Sequence, residues 1–75
     1  MPKQRPDSLS GQELRDVFVK AGYTVWANEL WAWFLHKPGA NPLIVLKVEQ
    51  YDWNAVHHLR RAAGLAPDDF DDLID

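Results

Sequence analysis

Apolar residues in the first third of the chain recur at helical spacing. Leu14, Val17, Phe18 and Ala21 fall at i, i+3, i+4 and i+7, which is one face of a helix with 3.6 residues per turn. Ahead of them, Ser10-Gly11-Gln12-Glu13 has the form of a capping box: the Ser hydroxyl accepts from the N3 amide and the Glu carboxylate reaches back to the N-cap amide. Gly22 supplies the left-handed residue that ends such a helix. A first helix is therefore predicted over residues 11–21. Residues 1–9 contain two prolines and little apolar content, and read as a flexible arm before a single domain over 10–75.

The period then changes. Residues 23–27 are rich in aromatic and β-branched side chains and read as a strand. Asn28-Glu29 reads as a two-residue turn, although it lacks the glycine that tight hairpins favour. Residues 30–36 form a second strand, and Lys37-Pro38-Gly39-Ala40-Asn41-Pro42 is a loop. Residues 43–48 are a nearly continuous aliphatic run and a third strand. Asp52 then suits the N-cap of a second helix, with Val56, Leu59 and Ala63 as its apolar stripe and Gly64 at its end. Pro67 fits the first position of a last short helix, with Asp68 and Asp69 complementing the dipole in its first turn. Phe70 and Leu73 fold that helix back onto the body. The order αβββαα predicts an α+β fold, with a three-stranded antiparallel sheet and helices on one face, as in double-stranded-RNA-binding domains.

A sheet covered by helices on one side should alternate apolar and polar residues. Here alternation fails. In the second strand Leu30, Ala32 and Phe34 oppose Trp31, Trp33 and Leu35; in the third, Ile44, Leu46 and Val48 oppose Leu43, Val45 and Lys47. Thr24 and Lys47 are the polar markers, and they place their own parity outward. The expected exposed face then contains Trp26, Trp31, Trp33, Leu35, Leu43 and Val45. A tryptophan buries about 150–250 Å², so three of them reach the ~300–600 Å² of a monomer's largest apolar patch. Trp26, Trp31, Trp33, Leu35 and Val45 are accordingly the candidate interface, for a protein partner or a second copy of the chain. Unpaired RNA bases stack on indoles too, but usually beside a basic groove. Only Lys37 and Lys47 stand near enough in the pattern to help.

The 75 residues suffice for one core. The chain contains no cysteine, which excludes a disulfide framework and a thiolate metal site and fits a reducing compartment. No run approaches the roughly 20 apolar residues of a membrane span. Met1-Pro2-Lys3-Gln4-Arg5-Pro6 is basic but leads into no apolar segment, so no secretory signal is expected and the cytoplasm is the default. Net charge is −3, unevenly spread: five of the 11 acids lie in the last eight residues, which leaves six acids against eight Lys and Arg in the rest. An acidic end is joined to a mildly basic body.

Candidate chemistry is sparse. The imidazoles are His36, His57 and His58. Acid–base cleavage of RNA needs groups on both sides of one phosphate, and adjacent residues on a helix point about 100° apart. Their spacing also misses the i, i+4 pair of a helical metal site. No catalytic residue, metal site or cofactor is assigned. Asn54, His57, His58 and Arg61 share one side of the second helix, with Arg60 beside them. With Lys37 and Lys47, His57, Arg60 and Arg61 make a small candidate surface for a phosphate backbone.

Taken in order, several segments resemble the HicA (YcfA-like) family of small toxin ribonucleases. They are Gly11-Gln12-Glu13-Leu14, Ala21-Gly22-Tyr23, and His36-Lys37-Pro38-Gly39 where the family often has His-Pro-x-Gly. The aliphatic third strand follows, then Leu59-Arg60-Arg61-Ala62-Ala63-Gly64-Leu65 with Asp68-Asp69-Phe70. The likeness covers roughly residues 10–74 and implies the αβββαα fold. The family's Gly-Ser-His or Gly-Gly-His opens strand two, five residues before the strand-end histidine. That position is Trp31, preceded by Glu29-Leu30, and the family's Pro-x-His after strand three is matched by Val45-Leu46-Lys47. Indole transfers no proton near neutral pH, so the family's ribonuclease activity is not expected. The expectation is a HicA-like domain that works by binding, as a diverged toxin–antitoxin or mobile-element protein. The rivals are an RNA-binding or RNA-cleaving toxin using other residues, and a small acidic phage-type inhibitor of a nucleic-acid-binding protein.

Overall fold

The capping box closes: Ser10 Oγ accepts from the Glu13 amide at 3.1 Å, and Glu13 Oε1 accepts from the Ser10 amide at 3.2 Å. Helix α1 therefore starts at once and runs Gly11–Lys20. In this computed structural model, which describes residues 8–74, there follow β1 (Thr24–Asn28), β2 (Ala32–His36), β3 (Leu43–Leu46), α2 (Trp53–Ala62) and α3 (Pro67–Leu73). The αβββαα order is as predicted. Gly22 and Gly64 both hold the positive φ expected of helix-ending glycines, +105° and +75°. The freed carbonyl of Ala21 accepts from Lys37 Nζ at 2.9 Å, which removes one orphan acceptor at the end of α1.

The sheet is antiparallel throughout, in the order β1-β2-β3. Its first joint differs from the sequence expectation. The first hairpin turns through Glu29, Leu30 and Trp31, closed by the Glu29 amide donating to Ala32 O at 2.9 Å; Asn28 belongs to β1, and β2 starts only at Ala32. A bulge between Val25 and Ala27 also shifts the β1 register, so that Ala27 stands opposite Phe34 and Asn28 opposite Trp33. The second connection is as predicted: Ala40 N donates to Lys37 O at 3.1 Å around Pro38 and Gly39, whose φ is +78°. Pro then Gly at the two central positions is the type II signature. Strand β3 stops two residues early. Val48 N turns back to Leu46 O at 3.0 Å, while Gly11 N donates to Val48 O at 2.8 Å.

Helices cover one face. Leu35, Leu43 and Val45 point inward into a core with Leu14, Val17 and Phe18 of α1, Val56 of α2 and Phe70 of α3. Phe18 is edge-on to Tyr23 and tilted against Phe70, with centroids 5.9 and 6.1 Å apart. Phe70 and Ile74 seat α3 on the body, and the half-buried Leu73 packs against the core beside them. Leu9 corrects the arm expected over residues 1–9: it is fully buried and bridges antiparallel to Tyr51, whose amide donates to Leu9 O at 2.7 Å. The rest of that arm, residues 1–7, lies outside the described residues, as does Asp75. Asp52 holds the N-cap position of α2, but its side chain makes no capping bond.

Candidate functional site

The parity of the sheet is the reverse of the one Lys47 suggested. Cross-strand pairs Trp33↔Val45 and Leu35↔Leu43 face the helices, while Ala32↔Leu46, Phe34↔Ile44 and Thr24↔His36 face outward. Lys47 misled because it lies beyond β3. Its ammonium donates to Asn28 Oδ1 and sits 5.0 Å from the centre of the Trp33 ring, on the helical side of the sheet although the residue is exposed. Arg15 of α1 lies over the same indole at 4.6 Å while it also pairs with Asp16. These cation–π contacts fasten Trp33 into the helical layer.

Of the expected interface residues, Leu35 and Val45 are therefore core: both are fully buried. Leu43 is buried beside them, and Trp33 is half-buried and packed against that core. Trp26 and Trp31 do stand on the outer face, Trp26 with the parity of the outward Thr24 and Trp31 for a reason that alternation does not contain. Trp26 occupies the bulge of β1, and Trp31 closes the hairpin turn outside β2. Both rings come to Phe34, Trp26 at 5.6 Å and tilted, Trp31 at 5.5 Å and edge-on. The result is a row of three aromatic rings running Trp26–Phe34–Trp31, with Ile44 and Leu46 beyond it on β3. Trp26 is 64% exposed, Trp31 56%, Ile44 46% and Leu46 40%. Phe34, Ile44 and Leu46 belonged to the set the sequence reading turned inward. His36 at the end of β2 was the signal that pointed the other way.

No Asp, Glu, Lys or Arg stands among the outward strand residues of this face: Thr24, Trp26, Ala27, Ala32, Phe34, His36, Ile44 and Leu46. The candidate phosphate contacts do not lie on that face: Lys37 and Lys47 stand beyond the strands, and His57, Arg60 and Arg61 on α2. Lys37 is tied to Ala21 O and lies over the Tyr23 ring at 5.8 Å. Arg60 is buried, and its Nη1 donates to Leu65 O at 2.7 Å. This excludes Arg60 from a solvent-facing basic patch, because its side chain turns inward to cap the α2–α3 connection. Arg61 is exposed on α2. His57 is half-buried with its ring 5.8 Å from that of Trp53, and its Nδ1 has no partner. His36 faces outward from the sheet, whereas His57 and His58 ride in the helical layer. The described residues hold no group of three or more His, Asp or Glu able to hold a metal ion, and no helix among them is long and apolar enough to cross a membrane.

Tyr51 went unremarked in the sequence and proves to be a structural node. Its hydroxyl accepts from the Leu46 amide at 2.6 Å, its own amide donates to Leu9, and burial pushes its phenol above the usual 10.0, against the opposing effect of the Leu46 hydrogen bond. No protein-family model, curated protein or solved structure gives a significant match to the chain.

Proposed function

We propose that the chain is a HicA-like domain that acts by binding a protein partner on the outer face of its sheet, rather than by cleaving RNA. The observation that carries this reading is the row Trp26–Phe34–Trp31, its two indoles exposed on either side of the half-buried Phe34 and flanked by Ile44 and Leu46, on a face without Asp, Glu, Lys or Arg among its strand residues. Two indoles more than half exposed present on the order of 200–300 Å² by themselves. With the two aliphatic residues the patch reaches the upper range for a soluble monomer. Such faces mark interaction sites, and an aromatic, charge-depleted centre is what protein interfaces bury.

RNA is the weaker occupant. Base stacking on indoles works together with cations that follow the phosphates, and here Arg15, Lys37, Lys47 and Arg60 are all engaged within the helical layer or at its edge. Catalysis is disfavoured as well, since Trp31 occupies the place of the family's histidine, and His36 on the outer sheet face is separated from His57 and His58 in the helical layer. The absence of cysteine suits a cytoplasmic partner.

Purified protein is expected to leave single-stranded RNA intact, and its expression is expected to be harmless to the host. RNA cleavage that is lost on His36→Ala or His57→Ala would overturn the proposal. So would RNA retention that falls steeply with added salt, the mark of phosphate contacts.

A further inference from the structure

We infer that the partner on the outer sheet face is a second copy of this chain, packed sheet against sheet. The inference rests on the binding reading above and adds the identity of the occupant. Three observations favour a copy. The first is charge. A chain with a net charge of −3 meets its own copy only where like charges stay apart. The outward strand residues include no Asp, Glu, Lys or Arg, and the exposed Asp68 and Asp69 sit on α3, in the layer on the other side of the sheet.

The second is the state of the sheet edges. A copy could instead add a strand to β3, but that edge is closed near its end. The Leu46 amide is taken by Tyr51 Oη, and Leu46 O accepts from Val48 N. The other edge, β1, is bent by its bulge, a device that discourages strand addition. The face is left open, while the β3 edge is closed at Leu46 and the β1 edge is bent.

The third is shape. The bulky indole of Trp26 lies at the β1 side and the smaller Ile44 and Leu46 at the β3 side, with Phe34 between them on β2. A two-fold axis parallel to the strands lays the β1 side of one copy on the β3 side of the other. Large rings then meet aliphatic side chains, and the two Phe34 rings meet near the axis. Residues 1–7 are a poor alternative cover, since they offer only Met1 and two prolines against four polar or charged neighbours. The exposed patch matches the centre of an interface of roughly 800 Å² per partner.

Sedimentation of the full chain over a wide concentration range, with circular dichroism on the same samples, tests this. The parent should reach about twice its 8.6 kDa mass. Trp31→Ser and, separately, Ile44→Glu should each raise the dimer dissociation constant by on the order of tenfold or more, with unchanged circular dichroism. The cysteine-free sequence permits a geometric check. His36→Cys should cross-link to itself through a short thiol-reactive linker, and Arg61→Cys should not. A parent that stays monomeric at high concentration while both variants remain folded overturns the second copy and leaves the face open to a different protein. If both variants unfold, the outer residues are structural, and the copy and the binding reading fall together.

Discussion

A Cβ placed on Gly11 would stand 1.9 Å from the carbonyl oxygen of Leu46. The first turn of α1 thus presses its backbone against the end of β3, where the Gly11 amide also bonds Val48 O. Helix propensity alone ranks alanine above glycine by about 0.8–1.0 kcal/mol, so sequence reasoning expects Gly11→Ala to stabilise. The contact reverses the sign, because backbone cannot yield as a side-chain tip can. Gly11→Ala should destabilise by about 1–3 kcal/mol, the range for overpacked sites, and chemical denaturation will measure it. Trp31 shows the same dependence on neighbours. Its residue type rules out proton transfer, but only its place in the turn, against Phe34, makes it part of a surface.

Elements here are set by their ends. The capping box starts α1, Gly22 stops it, and Lys37 from the far hairpin covers the Ala21 carbonyl. Helix α2 ends through Gly64, and the turn into α3 is held by the buried Arg60, whose guanidinium reaches Leu65 O. A hydrogen bond from a charged donor contributes about 1.5–3 kcal/mol. The unpartnered Nε of the same side chain offsets part of that. Arg60→Ala should therefore lower stability by about 1–2 kcal/mol, whereas Arg61→Ala at the neighbouring exposed position should stay within about 0.5 kcal/mol. Equal effects from the two substitutions, in parallel denaturation curves, would mean that Arg60 does not hold the connection.

At the scale of the whole molecule, two buried tyrosines join distant segments. Tyr51 links the Leu9 segment to β3, and Tyr23 packs on Phe18 while its hydroxyl donates to Asn41 O at 3.2 Å. Burial raises both phenols above 10.0. A raised folded pKa favours the neutral phenol, so its contribution is complete below the unfolded value near 10 and is lost as pH climbs through the folded value. Stability should thus be insensitive to these groups at neutral pH and fall above about pH 10. Tyr23→Phe, which keeps the ring, should flatten that alkaline loss. Tyrosinate absorbance in native and denatured protein, with unfolding midpoints across the same pH range, provides the check.

The sequence by itself determined the order of the elements, the α1 capping box, both helix-ending glycines and the Pro-Gly turn. Each rests on residues a few positions apart, whose local backbone preferences act before any tertiary contact forms. The direction of the sheet did not follow from such signals. Leu35 and Val45 are as apolar as Phe34 and Ile44, so the pattern of β2 and β3 suits either face, and Lys47 tipped the reading the wrong way. Tertiary packing decided it: the bulge in β1, the three-residue turn that frees Trp31, and the contact of Lys47 and Arg15 with Trp33. Leu9 and Tyr51 were illegible for the same reason, since their burial comes from pairing across 42 positions of chain. Local preference is written residue by residue, but which of two equally apolar faces meets the helices is a property of the packed whole.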